Sequence, residues 1–173
     1  HISQHAPMNP IMPPLHAAIA ASLALMAGVY SLVGFIAGFL VGHPSFDVGM
    51  FAILFGWGLL CGKGGMRNWM VLGSAMAFLA NFIAPIVITC LQVFGKEPWL
   101  PLDTPRDLIS SLIIAIVSLY SFLVLLPSRH KEWFRGGRDV LETQSVTAGA
   151  RLVAFPVLAA SLVLSVFLHL HQW

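Results

Sequence analysis

The sequence predicts an all-α fold, a polytopic integral membrane protein built as a bundle of helices. Of its 173 residues, 58% are hydrophobic and 9% are charged, with a mean hydropathy of +0.85. Soluble domains carry about 25% charged residues. The apolar residues come in long runs rather than in strict alternation, which favours membrane helices over a membrane barrel. This composition excludes a soluble globular domain, a secreted disulfide-rich module, a disordered chain and a nucleic-acid binder.

The first 14 residues are predicted to form an extended N-terminal arm. Prolines at positions 10, 13 and 14 disfavour a helix there, and a proline is well placed at the start of the helix that follows. Residues 1–7 could be a cloning remnant, with Met8 as the native start. Residues 15–173 are predicted to form a single transmembrane helical domain.

Five apolar runs are predicted to be the membrane helices. They cover residues 15–42, 48–62, 69–94, 108–126 and 152–173. The second run is the shortest, equivalent to about 22 Å of helix, whereas the hydrocarbon core of a bilayer is about 30 Å thick. If it spans, the protein has five transmembrane helices; otherwise it has four plus a re-entrant segment. Five spans are favoured, because a re-entrant segment needs surrounding protein to satisfy its backbone.

The third run contains a polar stripe and a predicted kink. Asn68 is the predicted N-cap of its helix. Pro85 is expected to kink the helix and free the carbonyl near Asn81. At 100° per residue, Ser74, Asn81 and Gln92 fall on one side of the helix. This stripe could join helices through hydrogen bonds or line a path for a neutral solute.

Small residues in the first and last runs predict helix-packing faces. Gly34, Gly38 and Gly42 recur every four residues, which places them on one side of a helix. Ser161 and Ser165 have the same spacing in the last run. Small residues let membrane helices approach closely, so we expect these residues to contact other helices of this chain or of another copy.

The positions of the cations predict the orientation in the membrane. Seven of the nine Lys and Arg residues lie in the segments 63–67 and 128–151. Loops rich in Lys and Arg lie on the cytoplasmic side, so we expect both segments to be cytoplasmic and the C-terminus to be outside. The bacterial cytoplasmic (inner) membrane is the expected location. Trp133 and Phe134, among these cations, are expected to lie at the headgroup level.

Three histidines could form a metal site on the outer face. His43 lies in a predicted outer loop, and His169 and His171 lie near the outer end of the last helix. Imidazole is a common ligand of copper and zinc. His169 and His171 point about 200° apart on a continuous helix, so both would bind one ion only if the helix frays. No cofactor is therefore predicted, and copper or zinc remains an alternative.

The sequence does not favour an enzyme. The five runs contain no Asp, Glu, Lys or Arg in their interiors, which disfavours a charge-coupled transporter. Motifs for a nucleophile elbow, a zinc protease or a phosphate loop are missing. An enzyme with its site among the acidic residues of the outer loops is a weaker alternative.

The expected function is that of a non-catalytic subunit, scaffold or assembly factor of a membrane complex. Packing faces and uncharged spans motivate this expectation. The predicted partners are the lipid bilayer and either further copies of the chain or other membrane subunits, with no nucleic acid. The alternatives are a channel or carrier for a neutral solute and a metal-handling protein that uses the outer histidines.

Overall fold

The computed structural model describes residues 9–43, 47–83, 85–87, 90, 94, 105–126, 132–136 and 138–170. The regular elements within these ranges are all helical. They are α1 (Leu15–Leu40), a 3₁₀ turn (Val48–Phe51), α2 (Ala52–Leu60), α3 (Gly64–Phe78), a π turn (Leu79–Ile83), α4 (Pro105–Leu125) and α5 (Val140–Leu170). The all-helical fold predicted from the sequence is confirmed.

Three helices are long and apolar enough to cross a membrane. They are Leu15–Leu40, Gly64–Val87 and Val140–Leu170. Two shorter apolar helices, Gly49–Leu60 and Ser111–Leu125, correspond to the second and fourth predicted runs. By length and composition, three helices of the described residues could therefore span a bilayer.

The chain divides into two compact units. The first unit comprises residues up to Arg67 and from Ser128 onward, and the second comprises Asn68–Pro127. The first unit contains α1, α2 and α5, each of which contacts the other two. The second contains most of α3, the π turn and α4, and α4 contacts the π turn.

Helix directions in the first unit follow from the residues that meet. Gly28 lies beside Ile53 and Gly56 lies beside Ala21, so α1 and α2 are antiparallel. The backbone N–H of Ile11 donates to the carbonyl of Ser145 (3.1 Å), and Gly34 lies beside His169. Helices α1 and α5 are therefore parallel. The start of α1, the end of α2 and the start of α5 consequently lie at the same end of this unit.

Small residues bring the three helices of the first unit together. The buried residues of α1 are mainly small: Ala17, Ala20, Ala21, Ala24, Leu25, Gly28 and Val29. In α5 the buried row is Val146, Gly149, Ala150, Ala154, Ser161 and Ser165. A β-carbon on Gly28 would lie 2.5 Å from Cγ1 of Ile53, so the two backbones approach as closely as glycine permits.

Two helices begin earlier than the hydropathy of the sequence predicts. Helix α3 begins at Gly64, so Asn68 lies inside the helix and its predicted N-cap role is wrong. Helix α5 begins at Val140, so the last twelve residues of the hydrophilic segment 128–151 are helical. Polar residues can continue a helix beyond the membrane, and hydropathy detects only the part that lipid surrounds.

The π turn of the second unit lies directly before Pro85. Because proline has no N–H, the carbonyl four residues earlier, at Asn81, loses its helical donor. The chain widens there into the turn Leu79–Ile83. The rings of Phe78 and Phe82 stack across this turn with centroids 5.2 Å apart.

Candidate functional site

The most extensive set of described side-chain interactions lies at the C-terminal end of α2. The indole Nε1 of Trp133 donates to the carbonyl of Leu59 (3.0 Å), and Arg138 Nη1 donates to the carbonyl of Cys61 (3.1 Å). Arg138 Nη2 also donates to the carbonyl of Trp133. The last carbonyls of a helix lack partners within the helix, so these side chains cap α2.

Arg138 holds this arrangement together. Its guanidinium lies over the Trp133 ring, 4.9 Å from the centroid, and its Nε pairs with Glu142 Oε1 at 3.2 Å. The Arg67 guanidinium similarly lies 5.5 Å from the centroid of Phe134. The Arg67–Phe134 contact joins the 61–67 turn to the segment that leads into α5, and the two Arg138 contacts order that segment itself.

Gly62 is required where the turn after α2 crosses the segment that contains Trp133 and Arg138. Its φ is +67°, in the left-handed region that favours glycine. A β-carbon there would also meet the carbonyl oxygen of Trp133 and the guanidinium of Arg138. Both the backbone conformation and the close approach therefore exclude a larger residue.

Cys61 lies at the centre of several cations. Burial raises the pKa of its thiol, and the nearby charges of Lys63, Arg138 and Arg151 lower it by a smaller amount. A thiol in this state is a poor nucleophile, because the thiolate is the reactive form. Cys61 therefore does not indicate a reactive centre.

The structure gives Trp133 and Phe134 a different role from the one predicted. Each side chain is only 8% exposed, so neither lies free at the headgroup level. They fill the space against the end of α2 and the start of α3. The sequence alone could not show this, because Trp133 and its acceptor Leu59 are 74 residues apart.

The structure places the predicted metal-ligating histidines as follows. His169 is half-buried, its Nδ1 is 2.8 Å from the carbonyl of Ser165, and its ring centroid is 4.8 Å from that of Tyr30. His43 is exposed beyond the end of α1. His171 lies outside the described residues. Within the described part of the chain, no three His, Cys, Asp or Glu residues form a group that could hold a metal ion.

The predicted packing residues lie at different places in the first unit. Ser161 and Ser165 are buried on α5, and Gly34 of α1 lies against the His169 ring. Gly42 follows α1 with φ +83° and ends the helix in a Schellman turn, in which His43 N–H donates to the Gly38 carbonyl (2.9 Å). The lack of a side chain at Gly42 thus serves the turn, and the space around it is open.

The predicted polar stripe is only partly within the described residues. Ser74 is buried in α3, and Asn81 lies in the π turn, where its Nδ2 donates to the carbonyl of Ala77 (2.9 Å). Gln92 lies outside the described residues. A π turn contains more residues than an α turn, so a regular 100° projection does not hold across it.

Three features of the first unit were missed by sequence reasoning. The small residues of α1 had a detectable signal, because Ala17, Ala21, Ala24 and Gly28 are spaced by three or four positions. The start of α5 also had one, because Asp139 followed three residues later by Glu142 resembles a capping box. The contacts of Trp133 and Arg138 with α2 had no detectable signal in the sequence.

Comparison with known proteins adds no functional information. No protein-family model, curated protein or solved structure matches the chain.

Proposed function

We propose that this chain is a non-catalytic integral membrane protein that serves as a subunit, scaffold or assembly factor of a membrane complex. The observation that carries the proposal is the exposure of α3. Only 6% of the most apolar 18-residue window of Gly64–Val87, the stretch that begins with α3 and continues through the π turn, is buried by the described residues, compared with 22% for α1 and 17% for α5. An apolar helix with so little cover has its surface available to lipid and to the helices of partner subunits.

The exposed surface of α3 contains a gap suited to helix packing. Within the described ranges, nothing lies within 4 Å of the position that a β-carbon would occupy on Gly73. Trp69 and Met76, one helical turn to either side, are each 61% exposed. A glycine between large apolar residues is a place where a side chain of another membrane helix can insert. The packing residues Gly34, Ser161 and Ser165, in contrast, already have neighbours within the first unit or are buried there.

We further propose five spans in a bacterial cytoplasmic membrane, with the N-terminus and the two basic segments inside. The helix directions of the first unit support this arrangement. They bring the start of α1, residues 61–67 and the start of α5 to one end, where the cations are concentrated. Reporter fusions at residue 9 and at the C-terminus should report opposite sides. An external reporter at residue 9 would contradict the five-span arrangement.

The assembly proposal is tested by Gly73→Leu. Among the described residues nothing lies within 4 Å of the β-carbon position, so thermal stability should be unchanged. Overpacking an interface costs about 1–3 kcal/mol, which corresponds to a loss of roughly tenfold or more in assembly. Native mass spectrometry of complexes released from the native membrane measures this loss.

Gly65→Leu is the matched control for this test. Gly65 also has open space around its β-carbon position, but it lies in the first turn of α3, between the cations Lys63 and Arg67. We expect the control to assemble like the wild type. If the wild-type chain leaves its native membrane as a monodisperse monomer with no co-purifying partner, the proposed function is wrong.

A further inference from the structure

The end of the first unit where α2 finishes and α5 begins carries a dense group of cations. Five of the nine Lys and Arg residues are described there, and we call them the basic corner: Lys63, Arg67, Arg135, Arg138 and Arg151. They come from two segments far apart in sequence. The contacts of Trp133 and Arg138 with the last carbonyls of α2 fix these segments against each other.

The internal contacts of the basic corner occupy Arg138 but leave other cations for a ligand. Arg138 uses three nitrogens on two carbonyls and on Glu142. Lys63, Arg135 and Arg151 are exposed, and no ion pair to any of the three is found within the part of the chain that the structure describes. Helix α1 relates the two segments: Gly149, two residues before Arg151, lies beside Ile11, and Gly56 of α2 lies beside Ala21. Lys63 and Arg151 therefore lie at the same end of the first unit.

The acidic groups of these segments do not balance the cations. The described acids are Glu132, Asp139 and Glu142, and Glu142 is paired with Arg138. The three exposed cations, Lys63, Arg135 and Arg151, therefore exceed the two other described carboxylates of these segments, Glu132 and Asp139. In the sequence, two more cations, Arg129 and Lys131, directly precede this segment.

The basic corner lies at the depth of lipid headgroups if these helices span a membrane. Arg151 directly precedes the apolar part of α5, residues 152–170, which is about 28 Å long and matches a hydrocarbon core of about 30 Å. Lys63 follows the last residue of α2 by three positions. Both side chains therefore begin where the apolar helices end, at the level of lipid phosphates.

We propose that the basic corner binds the phosphate of an anionic phospholipid, with Lys63 and Arg151 as its principal ligands. Two cations from different helices can contact one phosphate, and the rigid contacts of Trp133 and Arg138 hold their backbones in place before the lipid arrives. The proposal does not depend on assembly with a partner. It requires only that the first unit lies in a membrane.

Native mass spectrometry tests this proposal in the full-length protein. The protein is released from nanodiscs that contain equal amounts of phosphatidylglycerol and phosphatidylcholine with identical acyl chains. The wild type should retain phosphatidylglycerol preferentially. A surface cation contributes about a fivefold change in the affinity for anionic lipid. K63Q/R151Q should therefore lower the retained phosphatidylglycerol on the order of tenfold or more, whereas K63R/R151K should keep it within about threefold.

K96Q/R106Q is the matched control, because it removes the same charge from residue 96 and from the first turn of α4. It should retain as much phosphatidylglycerol as the wild type. Equal loss in this control, or no lipid preference in the wild type, would overturn the proposal.

A further arm adds inorganic phosphate: displacement of the lipid at equimolar phosphate would show that the corner is a site for a free anion. If K63Q/R151Q fails to fold, loss of the lipid from the charge-preserving variant would equally refute the proposal.

Discussion

Gly28→Ala is expected to lower the free energy of unfolding of the first unit by about 3 kcal/mol. The new β-carbon would lie 2.5 Å from Cγ1 and 2.6 Å from the backbone nitrogen of Ile53. A side-chain atom can move away, but the backbone nitrogen can move only if α1 and α2 separate. Separation would weaken the contacts along the whole row of buried small residues in α1.

Gly73→Ala is the matched control for this experiment. Both glycines lie inside apolar helices, but no atom of the part of the chain that the structure describes lies within 4 Å of the β-carbon position at Gly73. Alanine there should be neutral or stabilising by up to about 1 kcal/mol, because it favours the helix. Unfolding in mixed micelles with increasing denaturing detergent measures both variants.

A double variant identifies the atom responsible for the loss at Gly28. Ile53→Ala removes Cγ1 but leaves the backbone nitrogen in place. In the Ile53→Ala background, Gly28→Ala should therefore still cost at least half of what it costs alone. Complete relief would assign the clash to the side chain, and equal costs for Gly28→Ala and Gly73→Ala would disprove the close packing of α1 and α2.

The sequence predicted those parts of the fold that depend on contact with lipid. Long apolar runs identify membrane helices because the bilayer sets a minimum length, and Leu15–Leu40 and Val140–Leu170 each contain such a run. Hydropathy places the starts at Gly64 and Val140 too late, because charged and polar residues such as Arg67, Glu142 and Arg151 interrupt the apolar pattern in the first turns of these helices. Backbone hydrogen bonds stabilise these first helical turns, although the hydropathy of the sequence gives no signal there.

The candidate site was harder to predict, because its contacts join distant parts of the chain. Spacing arguments select residues that share a helix face, and Ser161 and Ser165 do lie on a buried face. Spacing does not show where a helix ends, so Gly42 was grouped with Gly34 although it forms the turn after α1. Arg138 and its acceptor Cys61 are 77 residues apart, and no local pattern connects them.

Arg138→Met should destabilise the first unit by about 3 kcal/mol. The Arg138 side chain is 13% exposed, and its contacts with two backbone carbonyls and the Trp133 ring lie at the end of α2. Methionine keeps much of the apolar stem but provides no donor, so the carbonyl of Cys61 loses its charged partner. The same unfolding assay in mixed micelles measures the loss.

Two further variants separate the possible causes of this effect. Glu142→Gln removes only the ion pair, and because the Glu142 side chain is 49% exposed, the cost should be below about 1 kcal/mol. Arg138→Lys keeps the positive charge but lacks the planar group that reaches two carbonyls and covers a ring, so it should recover less than half of the loss. If Glu142→Gln were as costly as Arg138→Met, the ion pair would hold α2 to α5. If Arg138→Lys behaved like the wild type, charge alone would suffice. We expect Arg138→Met to be the least stable variant, Arg138→Lys to be intermediate and Glu142→Gln to be close to the wild type. This order of stabilities would assign the stabilisation to the forked hydrogen bonds that Arg138 makes at the end of α2.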